Sequence, residues 1–182
     1  MAVKDKYINI ALTLTFFLVA WGFWSFLYPQ SLFFQEQLQI FLFDEEFFLE
    51  RIAMPAGGAR YIAEFLVQMY SSVLLGGAII ASIYVLMQLS VWQLVCKTCK
   101  TKTLGYVLTF VPSLLLWLCM GNVSTKLTLA VALLLALAAM MLYPAAKKQA
   151  CRYLYALIAA PVLSWLAGPV VLLFMLYVIV CE

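Results

Sequence analysis

The sequence contains no histidine, and its 182 residues include only eleven Lys or Arg and eight Asp or Glu. Lack of histidine removes the commonest general base, the commonest metal ligand and the side chain that switches charge near neutral pH. The scarcity of charge excludes a water-soluble globule. Charged residues make up 10% and hydrophobic ones 67%, against about 25% and 45–50% in soluble domains. Mean hydropathy is +1.06. No Lys/Arg stripe is interleaved with aromatics, so nucleic acid is not an expected partner. The apolar runs are long, Leu-rich and not strictly alternating, which excludes barrel strands. At bilayer depth each segment must pair its own backbone groups, so the runs read as membrane helices. The whole chain, 1–182, is read as one transmembrane domain, an all-α integral membrane protein.

Six spans are expected, at about 7–28, 61–95, 104–120, 127–143, 153–167 and 169–181. The first is long enough to cross and leaves through Trp21, Trp24 and Tyr28, an aromatic belt, before Pro29. Residues 30–59 hold Glu36, Asp44, Glu45, Glu46, Glu50 and Arg51 among six phenylalanines. Too polar to cross and too apolar to float free, this segment is expected at the outer interface as one or two short helices. Asp44 is the expected N-cap, with Glu45 and Glu46 in the first turn, Pro55 as the stop and Gly57–Gly58 as a turn. The second span is longer than a bilayer needs, and Gly76–Gly77 is the expected bend.

Two readings stand for 153–181: one kinked helix, which leaves five spans, or a hairpin turning at Gly168–Pro169. An internal echo favours the hairpin. Tyr106 precedes Pro112 as Tyr155 precedes Pro161, and PSLLLWL at 112–118 resembles PVLSWL at 161–166. With six spans, Lys4, Lys6, Lys97, Lys100, Lys102, Lys147, Lys148 and Arg152 share one side, leaving Arg51, Arg60 and Lys126 on the other. The positive-inside rule then places both termini in the cytoplasm.

Three constellations carry possible chemistry. Arg60, Glu64, Gln68 and Ser72 recur every fourth residue, which on one continuous helix makes a single polar face, a candidate binding lining. The plainer reading is a helix end at headgroup depth with an Arg60–Glu64 pair, worth about 0.2–0.5 kcal/mol. Asp44, Glu46 and Glu50 are the candidates for acid–base work or cation binding, although capping also explains the first of them. Cys96-x-x-Cys99 would share a face with Cys151 and Cys181. A second close-spaced pair is missing, and thiols on the cytoplasmic side stay reduced. No metal site is therefore expected, and Cys96 and Cys99 are the only candidates for one. No cofactor is expected.

The string FFQEQLQIFLFDEEFFLERIAMPAGGARYIAEFLVQMY, with YVLTFVPSLLLWL further on, resembles the N-terminal membrane region of an uncharacterised family of bacterial multi-pass inner-membrane proteins found mainly in Bacteroidetes. The likeness covers most of the chain and brings no activity with it. It implies a bacterial inner-membrane location, and longer members of such a family would make this chain a truncated form or an excised membrane domain. More remotely, a first span followed by an outer interfacial segment resembles membrane glycosyltransferases that use lipid-linked sugars. Those place an acid close to the first span, whereas Glu36 here comes eight residues after Tyr28.

The function expected is a membrane-embedded scaffold or subunit domain of the cell envelope, with the bilayer and a lipid or another membrane protein as partners. The alternatives are an enzyme acting on a lipid-linked substrate at the outer leaflet, with Arg60 holding a phosphate, and a small transporter.

Overall fold

The computed structural model describes residues 3–98, 103–143 and 149–181. All regular structure among the described residues is helical. Two compact units form, one from residues 1–40 and 66–126, the other from 41–65 and 127–182.

In the first unit, α1 (Val3–Gly22) runs into one π-helical stretch, Phe23–Leu27. Tyr28 N–H there donates to Phe23 O at 2.9 Å. Pro29 does more than end this run. It opens α2 (Pro29–Leu38) at the first helical position, where its missing N–H costs nothing. α1 lies antiparallel against α5 (Val73–Thr98): Trp21 Nε1 donates to Leu74 O at 3.0 Å, while Asn9 shares a groove with Trp92.

The expected long second helix is interrupted. α4 (Gly57–Val67) passes into a 3₁₀ turn, Gln68–Ser71, and Ser72 is extended (φ −100°, ψ 109°) before α5 begins. The break therefore precedes Gly76–Gly77, and both glycines lie inside α5. A Cβ on Gly77 would come within 2.2 Å of Ser25 Oγ, so its bare backbone serves the α1–α5 crossing, a use of small residues typical of membrane helices.

α6 (Thr103–Leu108) and α7 (Phe110–Met120) are separated at Thr109. Pro112 accounts for the break, since it cannot supply the N–H that Leu108 O would accept. A polar seam crosses to α5 at this point. Gln88, fully buried in the middle of α5, donates from Nε2 to Thr109 Oγ1 at 3.0 Å. The Thr109 hydroxyl donates onward to Tyr106 O at 2.6 Å, and Ser113 Oγ donates to Tyr84 O at 3.0 Å. Thr109→Val should leave the Gln88 amide without its partner and cost about 1–2 kcal/mol, the range of buried polar contacts between membrane helices. Unfolding in detergent micelles checks this; an unchanged midpoint would show that the seam is dispensable.

In the second unit, α8 (Leu127–Leu142) packs on α9 (Gln149–Ala167) and α10 (Val171–Cys181). Its buried alanines, among them Ala132, Ala136 and Ala139, allow close approach. Gln149–Cys181 is one helical run of 33 residues, yet it folds back on itself. Arg152 Nη2 donates to Cys181 O at 3.5 Å, whereas a straight helix would hold residues that far apart in sequence about 44 Å apart. The reversal falls at Gly168, which has φ +68°, followed by Pro169 in a 3₁₀ turn. Tyr143, Tyr155, Phe174 and Tyr177 close the open end of the hairpin, with ring centroids 6.2–6.5 Å apart. Tyr155 Oη donates to Ala139 O at 3.1 Å.

Three stretches are long and apolar enough to cross a membrane: Tyr7–Leu27, Val73–Cys96 and Gln149–Cys181. Gly105–Met120 and Leu127–Leu142 are shorter apolar helices. Large apolar side chains on the outward faces of these helices are widely exposed, including Leu14, Leu18 and Val19 on α1 and Leu172, Leu176 and Ile179 on α10.

Candidate functional site

The sequence of α3 (Glu45–Ala53) and α4 builds the most concentrated charge cluster among the described residues. Asp44 occupies the N-cap position in extended conformation, without a side-chain cap bond, and Glu45 and Glu46 fill the first turn. α3 ends at Ala53. The turn that follows is Met54–Ala56, with Ala56 in the left-handed region (φ 61°), and α4 begins directly at Gly57. The expected Gly57–Gly58 turn is thus displaced by a few residues: those glycines start a helix. The reversal folds α3 back so that Arg51 meets α4.

Glu64 sits where the two helices meet, 4% exposed. Each carboxylate oxygen takes one guanidinium N–H. Arg60 Nε donates to Oε1 at 2.8 Å from one turn before, and Arg51 Nε donates to Oε2 at 3.0 Å from α3. Charge-assisted bonds of this length are the strong ones. Arg51, its side chain 17% exposed, also reaches the largely exposed Glu50 through Nη1 at 3.4 Å, and its guanidinium carbon lies 4.5 Å from the Phe47 ring centroid. Arg60 is more open, with 35% of its side chain exposed, and its Nη1 points to Met54 Sδ at 3.8 Å. Phe41, Phe43, Phe47, Phe48, Tyr61 and Phe65 form a chain of ring contacts around the pair of helices, with centroids 4.9–6.4 Å apart.

This arrangement changes the sequence reading in two places. Arg60 and Glu64 do pair one turn apart, but Gln68 and Ser72 do not continue their face. Gln68 lies in the 3₁₀ turn and Ser72 is extended, so the regular four-residue line ends with α4. Asp44 and Glu46 are exposed and do not converge on Glu64; of the loop carboxylates, Glu50 alone joins the cluster, at its rim and through Arg51. Cys96 is exposed near the end of α5, and Cys99 lies outside the described residues. Among the described residues no three His, Cys, Asp or Glu side chains gather as a metal site would require.

Arg51 is the residue that sequence reasoning missed. It stands thirteen positions from Glu64, and only the tight Met54–Ala56 reversal brings it there. Its one sequence signal was being the lone cation in residues 30–59. Gln88, in the middle of α5, was missed as well, because its partner lies on another helix.

Chemically, the cluster is a clamp. Both oxygens of the buried carboxylate are occupied, and two cations surround that one buried anion. With Glu50 at the rim the charges balance, and Arg60 is the more open of the two cations.

Fold and cluster together define the class: an all-helical protein with three apolar stretches long enough to cross a membrane and a clamped ion cluster between two short helices. The chain belongs to a family of unknown function, DUF6057, whose profile matches residues 6–182. Comparison with curated proteins and with solved structures found no match.

Proposed function

We propose that this chain is a membrane-embedded scaffold or subunit domain of the bacterial inner membrane. Six apolar spans cross the bilayer, both termini lie in the cytoplasm, and α2 and α3 lie along the outer interface. The α9–α10 reversal supports the even number of crossings, because it returns the chain to the side on which α9 began. The exposed apolar flanks support burial in lipid or against a partner.

One observation carries the scaffold reading. The buried acid Glu64 is tied at both oxygens to Arg51 and Arg60, while Asp44 and Glu46 stand apart in solvent. A group so held fastens α3 to α4, with each of its oxygens engaged by a cation.

The open side of Arg60 favours a second reading, an outer-leaflet enzyme that holds the phosphate of a lipid-linked substrate. The size of the native assembly separates the two. Extracted in native-lipid discs, a subunit domain is expected in a complex well above its own 20.5 kDa. A single chain surrounded only by lipid would contradict the scaffold reading.

A further inference from the structure

Between α1, α5 and α6 in the first unit lies a groove of about 600 Å³, inside the range of roughly 300–1,000 Å³ typical of ligand sites. Its walls are apolar, with Phe17 on α1 and Leu89 on α5. Its polar residues, Asn9, Thr13 and Tyr106, are hydrogen-bonded together at one end, with Trp92 against Tyr106.

The hydrogen bonds at that end leave one acceptor over. Asn9 is 6% exposed, and its side-chain Oδ1 has no partner. The two hydroxyls at this end of the groove are already engaged. Thr13 Oγ1 donates to Asn9 O at 3.0 Å, Tyr106 Oη donates to the same carbonyl at 3.2 Å, and the two hydroxyls contact each other. An orphaned amide oxygen at this depth costs on the order of 1–3 kcal/mol. The χ2 torsion of asparagine is broad, and turning it presents Oδ1 to the groove that Asn9 lines. The missing partner is a hydrogen-bond donor.

Depth supplies the rest. Asn9 is the third residue of the apolar stretch Tyr7–Leu27, close to where headgroups end. From Asn9 to Phe17 the groove wall runs about 12 Å toward the bilayer centre. A ligand here has a donor at its head and hydrocarbon behind it.

We propose that this groove binds an amphiphile whose hydroxyl head donates to Asn9 while its hydrocarbon chain lies along α1 and α5. A long-chain alcohol and a diacylglycerol share that chemistry. The proposal needs α1 and α5 in the bilayer, as in the reading above, but nothing of the six-span count.

The test uses the full chain in phosphatidylcholine vesicles. The probes are a diazirine-bearing hexadecanol and a diazirine-bearing diacylglycerol, each beside its O-methyl ether, which cannot donate. Peptide mass spectrometry locates the label. At least one alcohol is expected to label groove residues such as Leu14 and Leu89 about fivefold more than its ether, the order that one buried hydrogen bond is worth. Whichever alcohol labels more strongly identifies a one-chain or a two-chain ligand. Asn9→Leu should make alcohol and ether equal, and Leu14→Trp, which fills the groove, should abolish both labels. If Leu14→Trp does not fold, Val85→Phe fills the groove from the opposite wall.

Equal labelling by alcohol and ether in the unsubstituted chain, or groove labelling that survives the filling substitution, would overturn the proposal. Flotation of the same vesicles separates the two failures. A chain that floats without alcohol preference loses the groove and keeps its membrane; a chain that does not float loses both.

Discussion

Glu64→Ala is expected to destabilise the second unit by about 3 kcal/mol, the scale of breaking a buried ion pair by removing one partner. The loss comes from what stays behind. Arg51 and Arg60 would face each other across a gap with no anion between them, and Arg51, with 17% of its side chain exposed, has little water to turn to. The cluster also predicts an order among its members. Arg51→Ala should cost about 2 kcal/mol, because it leaves Glu64 half-satisfied and removes the cation over Phe47. Arg60→Ala should cost about 1 kcal/mol or less, because that side chain is 35% exposed and partly solvated already. Glu64→Gln, which keeps an acceptor but loses the charge, should fall between Glu64→Ala and the unsubstituted chain. Unfolding in detergent micelles ranks them, and limited proteolysis across 53–57 should show α3 released in Glu64→Ala. A Glu64→Ala chain as stable as the original would show that the clamp holds nothing.

The second large effect is expected at Gly168. Its φ of +68° is left-handed, and a Cβ there would come within 2.9 Å of the Ala56 methyl. Gly168→Ala therefore carries two costs, about 1–2 kcal/mol for the backbone region and about 1–3 kcal/mol for the overlap. Removing the Ala56 methyl separates them when Ala56→Gly alone is the reference, because Ala56 is itself left-handed (φ 61°) and glycine relieves that strain as well. In Gly168→Ala with Ala56→Gly, the overlap cost should disappear and the backbone cost should stay. Gly168→Val should cost more than either and open the hairpin. A short thiol cross-linker joining Arg152→Cys to the native Cys181, positions in hydrogen-bond contact when the hairpin is closed, should react in the otherwise unsubstituted chain and fail with Gly168→Val. Unchanged cross-linking would mean that the turn does not depend on this glycine.

The features readable from sequence were those with local causes. Pro29 marks the end of the first apolar run, Asp44 marks the start of α3, and Arg60 and Glu64 pair because a helix brings every fourth residue round. Gly168–Pro169 signals its turn by composition alone. What was not legible depends on contacts between distant residues. Val67–Val73 holds no Gly or Pro, and the interruption left only a faint mark, Ser72 standing as a helix start before the apolar run at Val73. The glycine pair that resembled a bend instead lets α5 approach Ser25. Arg51 joins Glu64 only through a reversal in which an alanine adopts φ 61°, a conformation its type does not announce. Gln88 and Asn9 were single polar residues in apolar runs, with partners 21 and 97 residues away in the chain. Their meaning depends on neighbours that periodicity does not reveal.

The proposed topology stands on the two basic loops lying at one face of the membrane. Cys96 opens the first and Cys99 lies within it, and Cys151 adjoins Arg152 at the second. The direct measurement is labelling of these native thiols with a membrane-impermeant maleimide, in spheroplasts and in inside-out vesicles. The account predicts that all three are protected in spheroplasts and labelled in inside-out vesicles. Opposite accessibility for Cys96–Cys99 and Cys151, or labelling of all three in intact spheroplasts, would contradict it.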